Sequence, residues 1–458
     1  VTSYRVPQVT GSLQFGLLFL LGLVGAILQS MILATTVVGL SCVVFAVQVR
    51  REFSPPLLIL LCLNVVYFFT RVFFLLVYGD YAFGGWVSDS NFTWLLVYTA
   101  FNLFFYMGFS SIEGMFGSKT FQVPRSRFDA QTLWQARTVG IVSYCIAVIC
   151  FAYYLSLVGI AGYVANFSVD GFLFVAGDAF LSKIKNIMNW ALFAGFALIS
   201  VTTDFTRPRK LVSYFLVAAV TVVVAATFAR RGHMLVIVLM AYCALRDSGF
   251  NMRRPAIYLV ASAIATLLYG VYVLRKFGFD EYFLMNAFEG LNSGEFWIFD
   301  QFNLVVQNVG HGIEQSNGIE HIKMFFFFLT PFERYMDSIG SVGMQLVWQV
   351  FQIEGWGVPP SIYGYAVLAF GLEFQWLYAF VLGGAFGALS MGLKRISTSE
   401  LRVLGYMCLS VFTWYFFRSG DPLLAAYYCN RWMLMTYGAI AVILFATAKR
   451  RSFTNQVT

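Results

Sequence analysis

Charged residues are scarce in this chain: Asp, Glu, Lys and Arg make up 11% of its 458 residues, whereas hydrophobic residues make up 59%. Roughly a quarter of an average soluble domain is charged, so this composition excludes a soluble globular protein. It indicates a polytopic membrane protein. The net charge of +8 does not predict nucleic-acid binding, because most of the basic residues flank apolar runs, as cytoplasmic anchors of membrane helices do.

Histidine is rarer still, with three residues, and the seven cysteines lie in or next to apolar runs without the spacing of metal ligands. Such cysteines are typical small buried side chains and indicate neither a disulfide framework nor a zinc site. No carboxylates are clustered at a spacing that would require Mg²⁺ or Mn²⁺. We therefore expect neither a bound metal nor another cofactor.

Long hydrophobic runs, by contrast, are abundant. A helix needs about 20 apolar residues to cross a hydrocarbon core about 30 Å thick. The first run, 11–49, is nearly twice that long, and we divide it near Gln29 into two spans. Ten further spans are predicted at 56–78, 93–114, 138–160, 187–204, 211–229, 234–246, 256–274, 363–392, 401–417 and 431–448. The predicted fold is an all-α polytopic membrane protein of about twelve transmembrane helices.

The predicted spans divide the chain into three parts. Residues 1–274 hold the first nine spans, 275–361 form one large loop, and 362–458 hold the last three spans. The loop is far longer than a simple connection. It contains apolar stretches such as EFWIFDQFNLVV and MFFFFLTPFERY, so we predict a folded, partly helical module that lies in part against the membrane surface. The FFFFL run is too short to span the membrane and predicts a lid or an interfacial helix.

The distribution of lysine and arginine predicts the orientation of the spans. With both termini in the cytoplasm, most of the 30 basic residues fall on the cytoplasmic side, as the positive-inside rule requires. The large loop then lies on the outer side of the membrane.

Ten basic residues fall on the outer side against this rule, and Arg71 falls inside a span. Five of these arginines are the candidate ligands of an anion. Arg230 and Arg231 occupy a tight outer hairpin, Arg275 opens the large loop, Arg418 lies in the turn FRSGDP, and Arg71 lies within the third span. Any one of them could extend to a lipid phosphate. Together they indicate an anion site at the outer face, because guanidinium groups bind phosphate with two parallel hydrogen bonds and several can hold a pyrophosphate without a metal.

The large loop holds His311, His321 and ten carboxylates, among them Glu289 and Glu320, and a histidine or a partly buried glutamate suits the role of a general base. The candidates for that role are His311, His321 and Glu289, in that order. The alternative interpretation is that these are solvated loop residues. The segment GWGVPPS, 355–361, is a stiff Gly/Pro element before a helix. It could present backbone amides to an anion, or it could simply end the loop.

Four features together resemble the Wzy-type polymerases of bacterial polysaccharide repeat units. They are the basic turn ARRGH, the large loop, the run GWGVPPSIYGYAVLAFG and the turn FRSGDP, within residues 210–425. The resemblance implies a C-type glycosyltransferase fold in the bacterial inner membrane. It also implies an inverting, metal-independent transfer between undecaprenyl-pyrophosphate-linked oligosaccharides at the periplasmic face. Membrane lipid and a chain-length regulator protein are the further partners implied.

Two alternatives remain open. An O-antigen ligase, which transfers finished glycan to the lipid A core, would have a similar topology and similar arginines. A transporter or flippase for lipid-linked sugars would carry charges along a central pathway and have two similar halves. The charges of this chain gather at one face and its halves differ, which favours the polymerase.

Overall fold

The computed structural model describes most of the chain with gaps. The described residues are 6–51, 53–78, 92–116, 127–165, 179–226, 231–248, 297–310, 313–316, 318, 320–321, 323–324, 359–426, 428–429, 433, 436 and 438–440. Helices dominate these residues, and no strand lies among them. The predicted all-α class is confirmed for this part of the chain.

The helices follow one another with short connections wherever the structure describes the chain. Their bounds are α1 (Val6–Ile27), α2 (Met31–Arg51), α3 (Pro55–Leu63), a π segment (Asn64–Phe69), α4 (Thr70–Tyr78), α5 (Thr93–Phe116), α6 (Ala130–Ala165), α7 (Ala179–Thr202), α8 (Pro208–Ala226), α9 (Arg231–Asp247), α10 (Trp297–Asn308), α11 (Ser361–Lys394) and α12 (Ser399–Ser419).

Eight helical segments among the described residues are long and apolar enough to cross a membrane, so this is a multi-pass membrane protein. They are Thr10–Ile27, Met31–Arg51, Pro55–Val77, Thr93–Ile112, Ala130–Ile160, Lys183–Thr202, Pro208–Ala225 and Ser361–Lys394. They correspond to predicted spans one to seven and ten. Predicted spans eight and eleven form α9 and α12, which are not among the eight. The span at 256–274 and most of the one at 431–448 lie outside the described residues, so the total of twelve stays a prediction.

The first apolar run divides where the sequence predicts. Gln29 has a φ of 47°, in the left-handed region that ends a helix. The Ser30 hydroxyl then accepts a hydrogen bond from the Leu33 amide at 3.4 Å, which caps the start of α2.

The described residues belong to two compact units. Unit 1 comprises Val1–Val123, Leu291–Arg395 and Phe412–Tyr428, and unit 2 comprises Pro124–Gly290, Ile396–Val411 and Cys429–Thr458. The two units are defined by contacts between residues. The three parts predicted from the sequence, with boundaries at 274 and 361, are defined by the membrane spans instead.

Unit 1 is built on close packing of α5 against α11. A Cβ atom at Gly108 would collide with the Phe380 carbonyl, and one at Gly383 would collide with the Phe105 carbonyl. Lipid gives no hydrophobic force that drives helices together, so small residues that let two backbones approach are a main source of association between membrane helices.

Helix α10 also belongs to the interior of unit 1. It has 12 residues, too few to cross a bilayer, and it packs against α5, the π segment and α11. Apolar and polar residues alike are buried along it, including Phe299, Asp300, Gln301 and Asn303. This stretch of the large loop is therefore an internal helix of unit 1 with buried polar groups.

In unit 2, the ends of four helices meet. The Arg402 guanidinium donates to both oxygens of Asp247, with Nε and Nη2 each at 3.0 Å. The Phe128 amide donates to Glu400 at 3.1 Å. Residues from the same ends, together with the start of the 203–207 connection after α7, surround a cavity of about 130 Å³. The start of α6, the ends of α7 and α9 and the start of α12 therefore lie together, as the predicted topology requires.

Candidate functional site

Three of the predicted site residues have described side chains: Arg71, His321 and Arg418. All three belong to unit 1. Arg231 is the first residue of α9, but its side chain lies outside the described residues, as do Arg230, Arg275, Glu289 and His311 entirely.

The turn FRSGDP packs against the first turns of α11. Gly420 has a φ of 64°, and a Cβ atom built there would meet the Ser361 carbonyl and lie 2.8 Å from Tyr365 Cβ. Only glycine fits such a left-handed position at this close an approach. The Gly/Pro element before α11 and the FRSGDP turn, which the sequence presents as separate motifs, are therefore neighbours.

Ser361, the first residue of α11, has a φ of 62° and is fully buried. The left-handed region costs a residue with a Cβ atom roughly 1–2 kcal/mol. Two prolines, Pro359 and Pro360, precede it and restrict the backbone of this approach. Packing against Gly420 holds Ser361 in this conformation.

Hydrogen bonds within the turn hold it in shape. The Asp421 amide donates to the Ser419 hydroxyl at 3.1 Å, and the Asp421 carboxylate accepts from the Leu424 amide at 3.0 Å. Asp421 thus caps the helical residues that follow. Arg418, half-buried in the last turn of α12, is held at the edge of this rigid turn.

His321 lies among aromatic side chains of unit 1. Its Nε2 atom is 3.0 Å from the Tyr378 hydroxyl, and its ring stacks on the Tyr378 ring with centroids 5.5 Å apart. The rings of Tyr365 and Phe416 meet it edge-on, at 5.5 and 5.7 Å. Burial lowers the pKa of His321 to about 4, because an apolar environment disfavours the imidazolium ion. The imidazole is therefore neutral at neutral pH.

Glu320, the residue before His321, is buried with 7% of its surface exposed. The Tyr365 hydroxyl donates a hydrogen bond to its Oε2 atom at 3.0 Å. Sequence reasoning counted Glu320 only among many loop carboxylates. The local sequence gives no signal that separates it from them, since its partner lies 45 residues away.

A kink in α11 receives the segment that carries these two residues. Gly371 has a φ of 71° within the helix, which interrupts the regular hydrogen bonding of the preceding turn. The Leu368 carbonyl instead accepts from the Ser316 amide at 3.0 Å. Gly318, with a φ of 69°, packs on the Phe370 ring. The described residues Ser316 and Gly318 thereby dock on α11, and Glu320 and His321 lie beside Tyr365 and Tyr378.

Arg71 forms a buried ion pair with Asp300 of α10. Its Nε atom is 3.2 Å from Asp300 Oδ1, and the two side chains are 1% and 8% exposed. Burial raises the pKa of Asp300 to about 6, although the Arg71 guanidinium acts in the opposite direction. Arg71 is one of the predicted pyrophosphate ligands. Its partner Asp300 was not predicted, because it lies 229 residues away in the sequence.

The π segment sets the position of Arg71. The Thr70 amide donates to the Val65 carbonyl, five residues back instead of four. The wider turn rotates the residues that follow, and Arg71 and Val72 of α4 are both buried. Such π turns inside helices are frequent at functional sites.

Aromatic packing joins this ion pair to the start of α11. The Phe68 ring of the π segment contacts the rings of Phe302 on α10 and Tyr363 on α11, with centroids 5.6 and 4.8 Å apart. The Tyr363 hydroxyl donates to Asn64 Oδ1 at 3.0 Å. Arg71–Asp300 and Glu320–His321 are thus both arranged around the first turns of α11.

The first turns of α11 thus carry the Arg71–Asp300 side of unit 1 next to Tyr363 and the Glu320–His321 side next to Tyr365. The carboxylate, phenol and imidazole around Tyr365 are groups that can transfer protons. Among the described residues, no group of three or more His, Cys, Asp or Glu side chains could hold a metal ion. Comparison of the chain with protein-family models, with curated proteins and with solved structures gives no match in any of the three.

Proposed function

We propose that this protein is a membrane-embedded glycosyltransferase of the Wzy type, which polymerises undecaprenyl-pyrophosphate-linked oligosaccharide repeat units into a surface polysaccharide. The observation that carries the proposal is a meeting of elements within unit 1. The turn that bears Arg418 and the loop segment that bears Glu320 and His321 both pack on the first turns of α11. An anion-binding group and proton-accepting groups are brought to one helix end in this way.

Glycosyl transfer from a lipid pyrophosphate requires both kinds of group. The leaving pyrophosphate develops negative charge, which preorganised cations stabilise in the transition state. Arg418 is the described candidate for this role, and Arg230, Arg231 and Arg275 are the others. Arg71, oriented by Asp300, contributes from within the third span. The acceptor hydroxyl must lose a proton, for which His321, His311 and Glu289 are the loop candidates.

The proposed setting follows from the distribution of basic residues and from the resemblance. The protein lies in the bacterial inner membrane with both termini in the cytoplasm. The site faces the periplasm, where lipid-linked repeat units await assembly. The fold is of the C-type glycosyltransferase class with twelve spans, and a chain-length regulator is an expected partner.

A gel of surface glycan from a deletion strain tests the proposal. The strain is complemented with wild type, Arg418→Ala or a control, Arg207→Ala, whose side chain is 71% exposed in the connection before α8. We expect a ladder with wild type and the control. With Arg418→Ala we expect single-repeat product at equal membrane abundance.

Two results would contradict the polymerase function and favour another one. A ladder that persists in the deletion strain itself would overturn the polymerase and favour a transporter or another glycosyltransferase. Long chains that accumulate without attachment to the lipid A core would identify a ligase.

A further inference from the structure

The Glu320 carboxylate is held by one of its two oxygens. Tyr365 donates to Oε2 at 3.0 Å. No residue that the structure describes donates a hydrogen bond to Oε1. The side chain is more than nine-tenths buried. A buried carboxylate ordinarily satisfies both oxygens, so this arrangement leaves one oxygen available to an incoming hydroxyl.

We propose that Glu320 is the general base of this protein and that Tyr365 is its positioning residue. This inference rests on the proposed function, because it assigns the proton acceptor of the same glycosyl transfer. It differs from the sequence-based candidates, which did not include Glu320.

His321 is less suited to the role of base. Its Nε2 atom already faces the Tyr378 hydroxyl at 3.0 Å. Burial lowers its pKa to about 4, because the apolar surroundings disfavour the imidazolium ion that would form when the ring accepts a proton. Its ring contacts the rings of Tyr365 and Tyr378. His321 therefore acts as a neutral spacer that fixes the two tyrosines beside Glu320.

The chemical step balances with groups already named. The acceptor hydroxyl oxygen forms a bond to the anomeric carbon of the donor sugar as the bond from that carbon to the pyrophosphate oxygen breaks. The electron pair of the broken bond leaves with the lipid pyrophosphate, whose added charge the arginines stabilise. The hydroxyl proton passes to Glu320 Oε1 and then to solvent.

The hydrogen bond from Tyr365 orients the Glu320 carboxylate. Because Oε2 accepts from the Tyr365 hydroxyl at 3.0 Å, Oε1 is the oxygen left to meet the acceptor hydroxyl. Tyr365 therefore acts through Glu320 and does not itself accept the proton.

The experiment measures initial rates of polymer formation from lipid-linked repeat units in membranes of the deletion strain that carry each variant. We expect Glu320→Gln to lower kcat by roughly 100-fold or more with little change in KM, as loss of a general base does. Glu314→Gln is the matched control, since Glu314 is exposed in the same loop, and it should retain the wild-type rate. His321→Gln should lose less than tenfold.

Tyr365→Phe tests whether Tyr365 positions Glu320 or only stabilises the fold. A positioning role changes kcat without changing KM or the amount of folded protein. We expect Tyr365→Phe to lower kcat by less than Glu320→Gln does and to leave KM unchanged, because the carboxylate stays in place but loses the hydrogen bond that orients it. Glu320→Asp keeps the carboxylate and should keep a rate between wild type and Glu320→Gln, which tests the charge if the glutamine variant folds poorly.

Failure of this inference is distinguishable from failure of the proposed function. Near-wild-type kcat for folded Glu320→Gln or a loss of 100-fold in His321→Gln alone would overturn the assignment of the base, and an unchanged kcat in Tyr365→Phe would overturn the role of Tyr365. In those cases the polymerase itself would still stand. Absence of polymer from wild-type membranes, with an intact ladder in the deletion strain, would overturn the function.

Discussion

At the scale of single residues, Gly420 makes the contact that joins the FRSGDP turn to α11. We expect Gly420→Ala to destabilise the protein by about 2–5 kcal/mol, because it adds the cost of a left-handed alanine to a collision with Ser361 and Tyr365. Gly310→Ala is the control: its φ is 80° and its surroundings are open, so only the backbone cost of about 1–2 kcal/mol applies. Thermal unfolding in detergent measures both. Equal shifts would mean that the close contact contributes nothing.

His321 gives unit 1 a stability that depends on pH. Its pKa is about 4 in the folded protein and about 6.5 in an unfolded chain. Between these values the unfolded chain binds the proton more readily, so the stabilisation is complete above pH 6.5 and is lost as the pH falls toward 4. From pH 7.5 to 5 we expect a loss of at most about 2 kcal/mol, which His321→Gln should abolish. Melting temperatures of both proteins at the two pH values test this, and parallel slopes would contradict it.

At the scale of helices, the close approach of α5 and α11 depends on glycine. We expect Gly383→Val to destabilise the protein by at least 1–3 kcal/mol, roughly the cost of overpacking, because its side chain would meet the Phe105 backbone. Gly392→Val on the same helix meets no atom within 4 Å and carries the same cost of helix propensity. Size-exclusion profiles and melting temperatures in detergent separate the two variants. A Gly383→Val protein as stable as the control would show that α5 and α11 tolerate a wider spacing.

The sequence predicted which segments are helices far better than it predicted which side chains meet. Apolar runs locate α1 to α5 and α11 because membrane spans need a minimum length of apolar residues. The burial of α10 was not predicted, since its polar residues Asp300, Gln301 and Asn303 are of types that usually lie on the surface. Asp300 and Glu320 were missed because their partners are 229 and 45 residues away, and no local pattern encodes pairing over such distances.

At the scale of the whole molecule, the predicted orientation places the 203–207 connection in the cytoplasm and the large loop outside. Thr206 and Glu314 are both exposed, so cysteines at these positions should react with a membrane-impermeant maleimide from opposite sides. In intact cells we expect labelling of Glu314→Cys alone, and of both variants after permeabilisation. Native cysteines, followed in the parent protein, provide the background. Labelling of Thr206→Cys in intact cells would reverse the orientation.

The π segment has a consequence for the evolution of this membrane helix. Its wider turn contains one residue more than a regular helix would need, and each residue of an α-helix turns the chain by about 100°. Deletion of one residue within Asn64–Phe69 would restore regular winding and carry Arg71 about a quarter-turn away from Asp300. The charged residue would then lose its partner within a membrane-spanning segment, at a high cost. Related sequences should therefore either retain the extra residue together with both charges or lack all three, because losing any one alone strands a buried charge.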